Sequence, residues 1–405
     1  MSAYPVNLSL RIAKPDFLDL PWNLPVRQWP GNCARLEEVP RGLSRHPVVF
    51  ANYDGDLFAI KELPPGLAGQ EYEHLLHIEK ERLPVVQAVG QAQTQTANGN
   101  ASVLITHYLD RSLPYRTLFM QSSLKRYREH LLDAIAGLLV QLHLAGVYWG
   151  DCSLSNTLFR RDAGALQAYL VDAETSEIFP ALVPPASRLQ DLEIMEENIN
   201  GELVDLETAN LLSENMSSIP LLDTGAYIRL RYQNLWEQIT HEDVIEPGEH
   251  YRIQERIRAL NALGFSIGEV ALAGTANGGQ LRLRVVVTDR NFHRDQLQGL
   301  TGLEAEEKQA QLMMNEIQEI KATLSQEQNR SMTLSAAAYY WLEEIYKPTV
   351  QLLQPLIADH TTAAELYCQL LEHKWYLSER ARRDVGHRLA AEDYLRTFGT
   401  PDQSG

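Results

Sequence analysis

"VYWGDCSLSNTLF", Val147 to Phe159, places Asp151 and Asn156 five positions apart inside an otherwise apolar run with no neighbouring charge. A loop carrying both side chains offers a carboxylate to orient a hydroxyl and an amide oxygen to ligate a hard metal ion. The same pair also makes an ordinary polar turn between buried elements. The flanking sequence decides which reading holds.

Upstream, "PVVFANYDGDLFAIKEL" reads as two strands joined at Asp54-Gly55, a dipeptide that tolerates the positive backbone angles of a tight hairpin. The second strand ends on Lys61. "GQEYEHLLHIEKERL" follows as a helix with a mixed apolar face, and "PVVQAVGQAQTQT" and "SVLITHYLD" return to strand. In "YREHLLDAIAGLLVQLHLAG" Leu131, Ile135, Leu138 and Leu142 recur at 4, 3 and 4, a helical spacing, with Gly146 as terminator. Downstream, "ALQAYLVDAE" is a strand whose end presents Asp172. "LQDLEIMEENINGELVDLE" then spaces Leu189, Leu192, Met195, Ile199, Leu203 and Leu206 as one apolar helical stripe. Its seven acids and no base between positions 189 and 207 are read as a solvated helix face.

Composition sets the bounds. A chain of 405 residues with 44% hydrophobic and 22% charged residues is globular and too long for one ordinary core. A net charge of −17 excludes a nucleic-acid backbone as main partner, because that affinity comes from Lys and Arg neutralising phosphates. Cys33, Cys152 and Cys368 have no paired spacing, which argues against a disulfide frame or zinc site and for a reducing compartment. The amino-terminal sequence has no signal-like segment and no run of eighteen apolar residues occurs, so a cytoplasmic protein without a transmembrane segment is expected.

Phosphoryl transfer needs a carboxylate at the acceptor hydroxyl, metal ligands bridging the triphosphate and a cation on the phosphates, because its catalysis is mostly positioning and charge stabilisation. The chain offers these parts in order. Lys61 ends the apolar strand "LFAIK", Glu71 lies ten residues on in a helix and can hold the ammonium, Asp151 and Asn156 share a loop, and Asp172 closes the next strand.

In type, order and local structure these residues resemble the protein-kinase-like fold over about residues 45 to 210. "FAIKEL" looks like the third-strand lysine motif. "ITHYLD" resembles a kinase hinge, with Thr106 as gatekeeper and His107, Tyr108 and Leu109 offering backbone groups to adenine. "WGDCSLSN" is similar to a catalytic loop and "VDAE" to the metal-binding aspartate motif, while Asp191 resembles the aspartate that begins the long helix beneath the catalytic loop. Across the whole chain, "YLVDAETSEIFP", "QDLEIMEENINGELVDLE", "YRIQERIRALNALGF", "DRNFHRDQLQGLTGL" and "HKWYLSERARRDVG" resemble a bacterial kinase-like family ending in domain of unknown function 4032, some of it labelled lipopolysaccharide-kinase-like. The resemblance implies ATP and Mg²⁺ as cofactors, Asp151 as acceptor base, Asn156 and Asp172 as metal ligands, and Lys61 and Glu71 on the phosphates.

Three positions depart from a protein kinase. Gly42 stands alone where a phosphate-covering loop carries several glycines. Ser153 occupies the place of a lysine that neutralises the γ-phosphate in flight, and Gly150 that of an arginine. Asp172 and Asp191 are too close for a peptide-binding platform. The expected acceptor is therefore a small-molecule or glycan-type hydroxyl. The alternative is a pseudokinase, a nucleotide-responsive scaffold working through its C-terminal domain, where a protein partner would bind.

The fold expected is α+β: an extended lead-in over 1–45, a two-lobed kinase-like domain over 46–210 (small lobe 46–107, large lobe 108–210), and a mostly helical α+β domain over 227–405. Within the last, "YRIQERIRALNALGF" reads as helix and "LRLRVVVTD" as strand. His293, among Asp289, Arg290, Arg294 and Asp295, is read as an anion site or as a loop with local ion pairs. In "HKWYLSERARRDVGHR" a continuous helix would pair Arg380 with Asp384 and Glu379 with Arg383. That segment is read as a docking helix or as a phosphate-recognising one. Cys152, with His143 as a conceivable base, is read as a packing residue, since adjacent carboxylate charge raises a thiol pKa.

Overall fold

The computed structural model describes residues 5–39, 45–96, 99–120, 127–209, 223–240, 243–245, 269–274, 281–286, 291–327, 330–357 and 362–398. The chain forms two compact units, residues 1–160 with 168–237, and residues 161–167 with 238–405.

The first unit opens on an antiparallel sheet. Its strands are β1 (Asn7–Leu10), β2 (Leu36–Glu37), β3 (Val48–Tyr53), β4 (Asp56–Leu63), β5 (Ala88–Thr96) and β6 (Gly99–His107), in the order β1-β5-β6-β4-β3-β2. The β3–β4 hairpin turns at Asp54 and Gly55, both at positive φ (56° and 98°), as the Asp-Gly dipeptide requires. Helix α1 (Leu67–Lys80) buries Ala68, Glu71, Tyr72, Leu75 and Ile78, one face at helical spacing. The lead-in packs on this sheet: Phe17, Leu20, Trp22, Val26 and Trp29 are buried in one cluster with Phe58, Ile60 and Ile105. Prolines report local backbone preference and say nothing about whether aromatic side chains between them find a sheet to cover. Each such burial stabilises by roughly 1.5–3 kcal/mol.

The rest of the first unit is built on helices. A short β7 (Leu113–Pro114) leads into α2 (Tyr115–Met120) and α3 (Tyr127–Leu144), which buries Leu131, Ile135, Leu138 and Leu142 as the spacing predicts. Two short strands, β8 (Val147–Tyr148) and β9 (Thr157–Asp162), flank the Asp151 loop, followed by β10 (Ala165–Leu170) and β11 (Glu177–Ile178). The sheets are β10-β9-β7 and β11-β8. Helix α4 (Pro185–Thr208) starts on Pro185, where a missing N–H costs nothing, and buries Leu192, Met195, Ile199, Leu203 and Leu206. Helix α5 (Thr224–Thr240), expected to belong with the C-terminal domain, packs with the first unit: Ile228, Tyr232 and Leu235 are buried, and the Tyr232 hydroxyl bonds His143 Nδ1 at 2.8 Å. The division therefore falls at Glu237, some ten residues beyond the expected linker.

The second unit contains the antiparallel sheet β12-β14-β13 (Asp243–Ile245, Glu269–Gly274, Leu281–Val286) and helices α6 (Phe292–Thr301), α7 (Glu307–Glu327), α8 (Leu334–Tyr340), α9 (Lys347–Leu353), α10 (Ala363–Ala381) and α11 (His387–Phe398). A π-helical turn, Trp341–Tyr346, separates α8 from α9. Met313, Met314, Ile317, Trp341 and Tyr367 lie in its main core, so the methionine pair packs. The helix expected over residues 251–265 lies outside the described residues. Among the described residues, no helix is long and apolar enough to cross a membrane.

Candidate active site

The Asp151 loop is held from beneath by α4. Asp191, fully buried, accepts the backbone N–H groups of Trp149 and Gly150 at 2.9 Å each and faces His143 Nε2 at 2.9 Å. Two and three turns further along α4, Asn198 donates its amide to Asp151 Oδ1 at 2.9 Å, and Glu202 accepts the N–H groups of Leu154 and Ser155 at 2.7 and 3.0 Å. The solvated-face reading of this acidic helix is thus corrected: two of its seven acids are spent on loop backbone. Residues 191, 198 and 202 share one helical face. Their 7- and 11-residue offsets were the available signal, hidden behind the stronger apolar stripe.

Within the loop, Asn156 donates to Asp151 at both its carbonyl oxygen (3.0 Å) and Oδ2 (3.2 Å). Both amide protons are thereby engaged on the Asp151 side, which leaves the amide oxygen as the ligand-bearing atom. Ser153 is buried, and its hydroxyl accepts the Asn156 N–H at 3.1 Å.

Lys61 Nζ lies 3.0 Å from Glu71, 2.6 Å from Asp172 and 3.7 Å from Glu174. Burial alone would lower the Lys61 pKa, yet Glu71 and Asp172 outweigh it and the net direction is upward. Burial pushes Asp172 up, but the Lys61 ammonium pulls it further down, to a net value below the usual carboxylate range. Glu71, 1% exposed, is pushed up to about 8 by burial and then by Asp172, despite Lys61. The oxygens of Glu71, Asp172 and Glu174 cluster closely enough to hold a cation, but the Lys61 ammonium already lies among them. Asn156 and Asp172, both oxygen donors of the kind a hard cation takes, line the same cavities.

Two cavities meet at this pair. An apolar cleft of ≈ 140 Å³ is lined by Val48, Ala59, Lys61, Thr106, Leu109 and Leu158, among others, and reaches Asn156 and Asp172. A polar cavity of ≈ 410 Å³ shares Ser155, Asn156 and Asp172 with it and is further lined by Asp151, Arg45, Arg116, Asn198, Glu202 and Asp205. At the expected hinge, His107 N–H is bonded to Gln87 O and Tyr108 N–H to Leu57 O. The N–H groups of two of the three residues expected to offer backbone groups to adenine are therefore already engaged. Leu109 N–H has no backbone acceptor among the described residues.

The remaining candidates resolve otherwise. The Cys152 thiol is fully buried and its pKa is raised by burial and then by Asp191, while His143 is bonded to Tyr232 and Asp191, so the two form no nucleophile and base. His293 bonds Glu307, whose carboxylate also accepts the His293 and Arg294 N–H groups at the start of α6: the local ion-pair reading. The pairs Arg380–Asp384 and Glu379–Arg383 are absent because α10 stops at Arg382, which caps it at φ 52°, and Asp384 meets Lys374 instead. Arg45, which bonds Asp151 Oδ2 at 2.6 Å, and His46, 3.2 Å from Glu174, were not singled out in the sequence. Nothing local to "RGLSRHPVV" announces contacts more than a hundred positions away.

Two stretches of the chain match known protein families. Residues 55–214 match the lipopolysaccharide kinase (Kdo/WaaP) family. Residues 234–398 match domain of unknown function DUF4032. Among solved structures, one described as WaaP in complex with acyl carrier protein is similar over 64% of this chain and 99% of that one, at 17% identity and a TM-score of 0.36. No curated protein matches by sequence.

Proposed function

We propose, for a chain that joins a kinase-like domain of the lipopolysaccharide kinase family to a DUF4032 domain, that it transfers the γ-phosphoryl group of ATP to a hydroxyl of a small-molecule or glycan acceptor. One observation carries the reading: the apolar cleft and the polar cavity meet at Asn156 and Asp172, and Asp151 lines only the polar side. A nucleotide with its base in the first cavity directs its phosphates toward the second, where an acceptor reaches Asp151.

In this scheme Lys61, set between Glu71 and Asp172, holds the inner phosphates. Asn156 and Asp172 would hold Mg²⁺, which supplies charge neutralisation on the triphosphate. Asp151 receives the proton of the acceptor hydroxyl. The bond from the acceptor oxygen to the γ-phosphorus forms as the bond to the β,γ-bridging oxygen breaks, and ADP leaves with those electrons. Asn198 and Asn156 fix the Asp151 carboxylate from two sides, which restricts it to one orientation toward the hydroxyl. The polar lining of the larger cavity suits a polyhydroxylated acceptor.

ATP consumption by the full chain with Mg²⁺ tests this reading. Asp151→Ala should reduce it by about a hundredfold or more, the scale of a positioned acid or base, while stabilisation by Mg·ADP in thermal melts persists. Turnover unaffected by Asp151→Ala would remove Asp151 from its role. Stabilisation by nucleotide without turnover on any acceptor would favour the scaffold reading, which rests on the lone Gly42 and the uncharged Ser153.

A further inference from the structure

The chain lacks a lysine at Ser153, so the transferring phosphoryl group has no cation from the loop that presents Asp151. Ser153 cannot compensate, since it is buried and its hydroxyl is tied to Asn156. Lys61 sits among three carboxylates on the cleft side. Arg116 lines the polar cavity, but its guanidinium is drawn to Tyr115, with Nε 3.3 Å from the phenolic oxygen. Arg45 remains. Its Nη2 lies 2.6 Å from Asp151 Oδ2, and it shares the polar cavity with Asp151, Asn156 and Asp172.

The approach of Arg45 comes from the opposite lobe. It stands just before β3, in the position of the phosphate-covering turn, beside His46 at 3.2 Å from Glu174. The sequence before β3 carries one glycine, Gly42, rather than several. Arg45 supplies side-chain charge directed at the Asp151 motif, and His46 lies beside Glu174.

We propose that Arg45 is the cation that stabilises the γ-phosphoryl group during transfer, replacing from the small lobe the charge missing at Ser153. The inference rests on the phosphotransfer reading above. An acceptor hydroxyl held at Asp151 would be attacking phosphorus beside the carboxylate that Arg45 already contacts. The five-donor fork of arginine can then share Asp151 and two phosphoryl oxygens at once. The resting ion pair does not oppose this. Arg45 is 73% exposed, and exposed pairs of this kind hold weakly, so the guanidinium is free to exchange carboxylate for phosphate. As the phosphoryl group leaves the β,γ-bridging oxygen for the acceptor oxygen, Arg45 compensates negative charge on the equatorial oxygens and takes up no proton.

The test compares Mg·ADP with Mg·ADP·aluminium fluoride, a mimic of the group in flight, by calorimetric titration of the full chain and of Arg45→Ala and Arg45→Lys. Expected are ADP dissociation constants within about twofold of one another, a loss of tenfold or more for the fluoroaluminate complex in Arg45→Ala, and partial recovery in Arg45→Lys, on the scale of a single transition-state charge donor. Equal fluoroaluminate affinity in wild type and Arg45→Ala overturns the assignment. So does faster ATP consumption in Arg45→Ala, which would make Arg45 a block on Asp151. Wild-type protein that binds neither complex overturns the phosphotransfer reading itself, and this inference with it.

Discussion

At Gly150 the backbone takes φ +79°, and a Cβ there would lie 2.7 Å from the Thr175 carbonyl oxygen. The residue before Asp151 is therefore constrained twice, by its left-handed angle and by a neighbour that is backbone and cannot rotate away. Arginine at this position is opposed by the Thr175 carbonyl more than by the angle, since Arg82, Arg111 and Arg382 all adopt positive φ in this chain. Gly150→Ala should destabilise the protein by about 2–4 kcal/mol, combining left-handed strain with overpacking. Denaturant unfolding measures this, and a change below about 0.5 kcal/mol would show that the loop relaxes freely. The sequence displayed the substitution at Gly150 plainly. It did not display the cause, because Thr175 lies 25 positions away and its carbonyl has no signature in side-chain types.

Helix α4 shows how two patterns coexist on one element. Its apolar stripe, read from periodicity, seats it in the core from Leu192 onward, while Leu189, counted in the stripe, is exposed near the helix start. A second stripe of Asp191, Asn198 and Glu202 holds six polar groups of the Asp151 loop, counting the Trp149, Gly150, Leu154 and Ser155 N–H groups, the Cys152 carbonyl and the Asp151 carboxylate. Charge counting along the helix could not separate these acids from solvated ones, since burial is set by the loop packed above. Asn198→Ala should slow ATP consumption about tenfold through a less fixed Asp151 while nucleotide affinity stays within about twofold. A rise in the ADP dissociation constant of similar size would instead indicate collapse of the loop as a whole. The hinge was legible as a strand end. The commitment of the His107 and Tyr108 N–H groups to Gln87 and Leu57 was not, because register is a property of strand pairs.

On the scale of the whole molecule, the order of elements told of two bodies, while the path of the chain between them did not follow from local composition. The tip of the β9–β10 hairpin, residues 161–167, belongs to the second unit, although the hairpin starts just after Asn156 and ends just before Asp172. In that unit Asp162 caps the start of α7, accepting the N–H groups of Lys308 and Gln309 at 3.3 and 2.9 Å. Glu365 accepts those of Ala163 and Gly164. Burial, then the charge of Glu306, push Asp162 from 3.8 up to about 7. Between these values the folded unit retains a proton that the unfolded chain releases, so its stability falls as pH rises, by up to about 1.4 kcal/mol per pH unit, and levels off above pH 7. Asp162→Asn removes the titrating group and should flatten that slope. The quantity to follow is the protection of the Lys308 and Gln309 amides against hydrogen exchange, corrected for intrinsic rates. Protection that rises with pH in the wild type, or an undiminished slope in Asp162→Asn, would place the titrating group elsewhere in the unit.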